Sequence, residues 1–331
     1  MARKLLSICF ITFNDAEKLA SSIPAVIKLV SELDSHTQSK IEILVSDNCS
    51  SDFPLLKEHL KNIKKLKLFQ TTINTGVDIN IRNCILNASG EHVWIFSADD
   101  YINSKEYLLK IVKILEDEHP DILSFKINLE PTMDLEEINS VSFLLTEDKQ
   151  LQGLINSGKI STAIYKKGGD YQSCLVDADE FDGLGYFHLS YGACLHNYSK
   201  IKHLFWDSYA VYTLHSKVLH RHDYHPRFSQ NAHLAVATKI FLDRHWKLRF
   251  IVKNHLIFQL KFVAQLPFKR RLETWHEEKA LDYVSEIAHL ASKSNSIFIK
   301  ITVFIVQFIL YFSGNKKIIA HFNLGFKKIS W

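Results

Sequence analysis

Short apolar runs rich in β-branched and aromatic residues recur along the first hundred residues, each followed by a polar cluster and then by helical spacing. LLSICFITF (5–13) predicts a strand buried on both faces. DAEKLASSIPAVIKLVSEL (15–33) then carries its apolar residues at helical intervals. IEILVSDNCSSD (41–52) predicts a second strand that breaks into a polar loop, and FPLLKEHLKNI a second helix with Pro54 in its first turn. LKLFQTTINTG (66–76) predicts a third strand and loop. VDINIRNCILNAS predicts a third helix, with Gly90 as its C′ stop. EHVWIFSADD is the fourth strand. Asn103 and Ser104 stand where a cap belongs, ahead of the amphipathic run Tyr107, Leu108, Ile111, Val112, Leu115.

Four strand–helix alternations in a hundred residues predict an α/β fold with a doubly wound, mostly parallel sheet. Beyond about residue 120 the pattern loosens, with DILSFKINL and ISTAIYKK as further strands. From about residue 232 it reads as helical and basic. The expected organisation is a catalytic domain over 1–230, with halves 1–118 and 119–230, and a helical C-terminal extension over 231–331.

Composition changes this picture at four points. Apolar residues make up 47% and Gly and Pro are few, so the chain has material for a core and no low-complexity segment. The five cysteines are odd in number and match no zinc or CxxC spacing, which reads as reduced thiols in a cytoplasmic protein. The basic, briefly apolar start stops at Asn14-Asp15 without a small-residue cleavage site, so it reads as the first strand and not as a leader. Charge is uneven: the net charge is +4, yet residues 251–331 hold twelve Lys/Arg against five Asp/Glu. No acidic residue follows Glu286, while six lysines do, so the tail is expected to face something anionic.

In doubly wound sheets ligands bind beyond the carboxyl ends of the strands. Four polar clusters fall there: Thr12 to Asn14, Ser46 to Asn48, Asn74 to Gly76 and Ser97 to Asp100. Adjacent Asp99 and Asp100 at a strand end repel each other. They read either as part of a turn before a helix, or as the seat of a divalent cation on a phosphate. With a nucleotide diphosphate as ligand, Mg²⁺ or Mn²⁺ would bridge its oxygens. Asp47 and Thr12 are placed for the base and ribose.

SICFITFNDAEKL, EILVSDNCSSD and NTGVDINIRNCILNASGEHVWIFSADDYI, in this order and spacing, resemble the successive motifs of the inverting GT-A glycosyltransferases of family 2. The branch they resemble most is the bacterial abequosyltransferase-like one of surface polysaccharide synthesis. The resemblance covers about residues 5–115. It implies a GT-A fold and a nucleotide-sugar donor, with Thr12 and Asn14 lining the nucleotide pocket and Asp47 holding base or ribose. Asn74, Gly76, Arg82 and Asn83 would shape the wall near ribose and diphosphate. Arg82 stands either opposite a phosphate or in a structural ion pair. Asp99 would be the metal ligand of the DxD motif, with Asp100 as a second carboxylate. The chain departs from that motif at its first position, which is Ser97.

An inverting transfer needs a general base for the acceptor hydroxyl. VDADEFDGLGYFHLSYGACL offers Asp177, Asp179, Glu180 and Asp182, of which Asp182 and Glu180 are the expected bases. His188 reads as a hydrogen-bonded structural residue. HSKVLHRHDYH has no zinc spacing; His215 or His220 is expected at the donor's metal or diphosphate. The apolar run of 296–314 holds about sixteen residues with Lys300 and Gln307, short of the roughly 20 that cross a bilayer. It reads either as a buried helix packing on the catalytic domain or a dimer partner, or, as expected here, as a helix at an anionic membrane surface, next to a glycan or lipid-linked acceptor such as an O-antigen or capsule. Two rivals remain. A nucleotidyltransferase wants a Gly-rich basic loop after the first strand, where TFNDAEKL has none. A degenerate, non-catalytic scaffold module is suggested by Ser97. The lysines of the tail alternate with aliphatics and form no stacking groove, so nucleic acid is not an expected partner.

Overall fold

The computed structural model describes residues 4–64, 66–128, 160–167, 171–179, 187–198 and 202–213, single helical positions between Leu260 and Ala291, and residues 297–314 and 316–327. The chain divides into two units, Met1–Tyr224 and His225–Trp331.

In the first unit the strands are β1 (Lys4–Thr12), β2 (Ile41–Asp47), β3 (Leu66–Gln70), β4 (Gly90–Phe96), β5 (Asp100–Ile102), β6 (Ile122–Asn128), β7 (Ala163–Lys166) and β8 (His203–Thr213). Helices α1 (Ala16–Ser31), α2 (Ser35–Lys40), α3 (Phe53–Leu60), α4 (Gly76–Asn87), α5 (Lys105–Glu118), α6 (Tyr171–Asp179) and α7 (Phe187–Tyr198) connect them. The strands form one sheet in the order β3-β2-β1-β4-β7-β6-β8-β5. The first four are parallel neighbours, as the alternating pattern predicts; β7 joins β4 antiparallel and β6 joins β7 antiparallel.

The faces sort by alternation. Leu6, Ile8 and Phe10 of β1, Ile41, Ile43 and Val45 of β2, and Trp94 and Phe96 of β4 share one core with the apolar stripes of α1, α3 and α5. Cys9, Val93 and Ile95, one residue out of phase with that set, are buried on the other face, where α4 packs on β1 and β2. Burying both faces is what makes the strand sequences near-continuous apolar runs.

Two local readings change. Gly90 is not a helix stop: α4 ends at Asn87 with Ala88 as an extended cap, and Gly90 opens β4. Glycine is needed there because a Cβ would meet Ser7 N and Oγ of β1 at 2.7 Å, and Gly90 N donates to that Ser7 Oγ at 2.8 Å. The polar segment before β2 forms a short helix, α2, because Asp34 accepts from the backbone N–H groups of His36 and Thr37, both at 3.0 Å.

β5 lies at the far edge of the sheet, paired antiparallel with the end of β8, Asp100 opposite Thr213. Only Ser97, Ala98 and Asp99 separate it from β4 in the middle. Four residue steps reach at most about 14 Å, so the sheet curls until the end of β8 approaches the end of β4. β6 shifts register against β8 around Lys126, where such a bend needs it.

In the second unit, α8 (Ile297–Ser313) and α9 (Lys316–Lys327) meet at Gly314, whose φ of +68° closes α8 in the left-handed conformation. Ile299, Val303, Val306 and Leu310 of α8 and Ile318 and Phe322 of α9 belong to a separate apolar cluster.

Candidate functional site

Parallel pairing brings the ends of β1, β2 and β3 into line: Thr12 is in register with Asp47, and Asp47 with Gln70. Thr12 and Asp47 are both buried. Asp47 Oδ2 accepts from Ser50 N at 2.9 Å. Its Oδ1, like Thr12 Oγ1, is buried without a hydrogen-bond partner among the described residues. Buried polar atoms in folded chains are nearly always paired. Two orphans side by side at strand ends are unmet hydrogen-bonding capacity, of the kind a ribose hydroxyl or a base N–H would satisfy.

The loops around this pair are built by asparagines. Asn14, with φ of +56°, places its Oδ1 on Ser51 N at 2.9 Å, and its own N donates to Ser50 Oγ at 2.8 Å. Its carboxamide oxygen therefore ties the β1 loop to the β2 loop. Asn48, buried, is the hub of the β3–α4 loop. Its Nδ2 donates to Asn74 Oδ1 at 2.7 Å and to Gly76 O at 3.1 Å, while its Oδ1 accepts from Thr75 N at 2.9 Å. Asn74 Oδ1 also accepts from Gly76 N at 3.0 Å. Gly76 is required by its φ of +85° and not by crowding, since nothing lies within 4 Å of a Cβ there.

Asn80, on the buried side of α4, did not stand out in the sequence. Its Nδ2 donates to Thr12 O at 3.3 Å and to Ser46 O at 3.1 Å, and its Oδ1 accepts from Ser46 Oγ. One side chain thus fastens the two strand ends that carry Thr12 and Asp47. A single Asn inside a helical pattern gives no signal of this; only the contact with residues 34 and 68 positions away does. Arg82 lies half-buried on the same helix. Asp78, also buried on α4, accepts at Oδ1 from Phe187 N, the first residue of α7, at 2.9 Å.

At the end of β4, Asp99 is partly exposed. Asp100 is buried and turned back, its Oδ2 accepting from Ser97 N at 3.3 Å. Among the described residues no three His, Cys, Asp or Glu converge as a closed metal site. The donor set fits a cation of another kind. Mg²⁺ keeps several waters and is held by one or two carboxylates plus substrate phosphates, so Asp99 with a diphosphate would suffice. Glu180, Asp182, His215 and His220 lie outside the described residues; Asp182 and Glu180 fall between α6 and α7. Thr213, the partner of Asp100, precedes His215 by two residues. His188 is buried in α7, and burial holds its imidazole near 3, hence neutral.

Residues 7–161, just under half of the chain, match the family model described as Glycosyl transferase family 2. Among solved structures, S. aureus TarS 1-349 in complex with UDP superposes with a TM-score of 0.60 at 15% identity, over 98% of this chain and 90% of that one. The same protein with UDP-GlcNAc gives 0.59 at 14%, over 98% and 91%. The mannosyltransferase PcManGT of Pyrobaculum calidifontis, in complex with GDP-Man and Mn²⁺, gives 0.53 at 13%, over 100% and 88%. No curated protein matches the sequence. At such identities the structures establish the fold, which is GT-A, and the family model identifies residues 7–161 as a glycosyl transferase family 2 domain; the chain is a glycosyltransferase.

Proposed function

We propose that the chain transfers a sugar from a nucleotide-sugar donor to a hydroxyl of a bacterial surface glycan, inverting the anomeric configuration. The observation that carries the donor half is the register-paired Thr12 and Asp47, each with a buried oxygen lacking a partner among the described residues. Asp47 accepts from a base N–H or a ribose hydroxyl; Thr12 completes the pocket. Asn48, Asn74 and Gly76 shape the wall beside the ribose and diphosphate, with Arg82 on the helix behind them. Asp99, with Asp100 behind it, holds Mg²⁺ or Mn²⁺, which when bound neutralises charge on the diphosphate. Ser97 leaves Asp99 the forward carboxylate of this turn. His215 or His220 meets the same diphosphate.

The acceptor oxygen attacks the anomeric carbon as the bond to the diphosphate oxygen breaks. Its proton passes to a carboxylate, which we assign to Asp182 or Glu180. That segment leads into α7, whose first N–H is held by Asp78 of the donor-side helix. The acceptor is lipid-linked, at the cytoplasmic face of the membrane, and the C-terminal extension brings the enzyme there. PcManGT, in complex with GDP-Man and Mn²⁺, and TarS, in complex with UDP and with UDP-GlcNAc, support the donor class.

The test is a thermal-shift and calorimetric screen against UDP, GDP, CDP and dTDP, each with Mn²⁺ or with EDTA. One nucleotide is expected to raise the melting temperature. Asp47→Asn should weaken it about 10–100-fold, the worth of one or two hydrogen bonds to a charged group, while keeping the Ser50 contact and the fold. Asp99→Asn should abolish the Mn²⁺ dependence alone. Unchanged affinity in Asp47→Asn, or no shift with any nucleotide, would refute the reading.

A further inference from the structure

The C-terminal unit presents an apolar face that its own core does not use. Along α8 the buried residues Ile299, Val303, Val306 and Leu310 form one stripe. The opposite stripe carries Phe298, Phe304, Phe308, Tyr311 and Phe312, all 58–75% exposed. Ile297, Ile301 and Ile305 lie among them at 50–62%. At helical periodicity these eight residues span about 140° of the surface. Each aromatic side chain alone carries about 150–250 Å², so the patch exceeds the largest one usual on a soluble monomer, about 300–600 Å². Polar positions are confined to the flanks: Lys300 and Gln307 on one side, Thr302 on the other. Just past Gly314, Lys316 and Lys317 are exposed at the start of α9.

We propose that this face of α8 lies in the plane of an anionic lipid surface, with its aromatic rings among the acyl chains and Lys300, Lys316 and Lys317 on the headgroups. The proposal gives the membrane placement in the functional reading its residues and is independent of the donor chemistry. Three observations select lipid as the occupant. With 17 residues α8 is short of a span, and no described helix is long and apolar enough to cross a membrane. Aromatic rings outnumber aliphatic side chains on the exposed face, as at the interface between headgroups and chains. Six lysines and no acidic residue follow Glu286. A second copy placed against this face would bring those lysines towards their own counterparts, with no carboxylate in the tail to offset them. An anionic bilayer offsets all of them together.

The test is flotation of the full-length chain with vesicles of phosphatidylcholine alone or with added phosphatidylglycerol, at low and high salt. Binding to the anionic vesicles that weakens with salt is expected. Each lysine near the surface is worth about fivefold, so Lys316→Glu with Lys317→Glu should lower partition at least about 25-fold. Phe304→Glu with Phe308→Glu should abolish it at any salt while leaving the buried stripe, the circular dichroism and nucleotide binding unchanged. Equal flotation of the Phe304/Phe308 variant would overturn the proposal. So would a dimer in sedimentation that this variant dissociates, without vesicle binding by the parent chain. Because nucleotide binding is read without lipid, failure of either reading is told apart from failure of the other.

Discussion

A buried carboxamide is the most exacting residue near the strand ends. Asn80 satisfies two backbone carbonyls and a hydroxyl with one side chain, none of which has water to turn to. Asn80→Ala takes a hydrogen bond from each of the three, although Thr12 O keeps Asn48 N at 2.9 Å, and is expected to cost about 1–3 kcal/mol of stability. It should also raise the nucleotide Kd at temperatures where the variant is fully folded, because Thr12 and Asp47 lose their common brace. Chemical denaturation and a titration in the folded range separate the two effects; a stability loss with the parent Kd would make Asn80 structural only. Thr12 and Asp47 were legible in the sequence because each ends an apolar run in a polar residue. Asn48 was visible only as one member of such a cluster, and its hub role depends on where the β3–α4 loop passes. Asn14 was expected in the pocket, and the structure shows its carboxamide oxygen engaged with Ser51.

Among the elements, β1, β2 and β4 are joined at their other end by a buried carboxylate. Glu42 accepts from Ser7 Oγ at 2.8 Å and from Ser89 N and Oγ at 2.8 and 2.6 Å, and pairs with Lys67. Burial by itself would raise this carboxyl, but the bonds from Lys67, Ser89 and Ser7 outweigh it and pull it from the ordinary 4.5 to about 2. The folded value lies below the unfolded one, so the stabilisation is present above about pH 4.5 and is lost as pH falls towards 2. Glu42→Gln should therefore be less stable than the parent at pH 7 and show a flatter decline between pH 4.5 and 2. Denaturant midpoints across that range check it; parallel curves would discount the Glu42 network. The same corner explains why Gly90 was misread from sequence: its constraint is the approach of Ser7 across the sheet, while the helix it follows ends on an extended Ala88. The parallel half of the sheet was legible because both-face burial writes itself as apolar runs. In the curled half β6 and β7 were legible as the runs DILSFKINL and ISTAIYKK, but the pairing was not, since nothing local tells that Asp100 pairs with Thr213.

Among the described residues, the apolar cluster that joins β1, β2 and β4 to α1, α3 and α5 and the cluster of α8 and α9 share no residue, and they lie in different units. Thr12, Asp47 and Asp99, for which we propose a donor-binding role, lie in the first unit. The aromatic face of α8 belongs to the second. Separate cores make separate cooperative units, so heating is expected to give two calorimetric transitions. A nucleotide that binds beside Asp47 stabilises only the unit holding it, by about 2.7 kcal/mol at a hundred times its Kd. For a unit of this size that is roughly 5–10 °C, at about 2–4 °C per kcal/mol. The other transition should stay in place with nucleotide and disappear from a chain ended before His225, whereas anionic vesicles should shift it and leave the nucleotide-sensitive one alone. A single transition that nucleotide moves as a whole would show that the two clusters unfold together. The donor site and the lipid-facing helix would then be thermodynamically coupled, each ligand raising the apparent stability seen by the other.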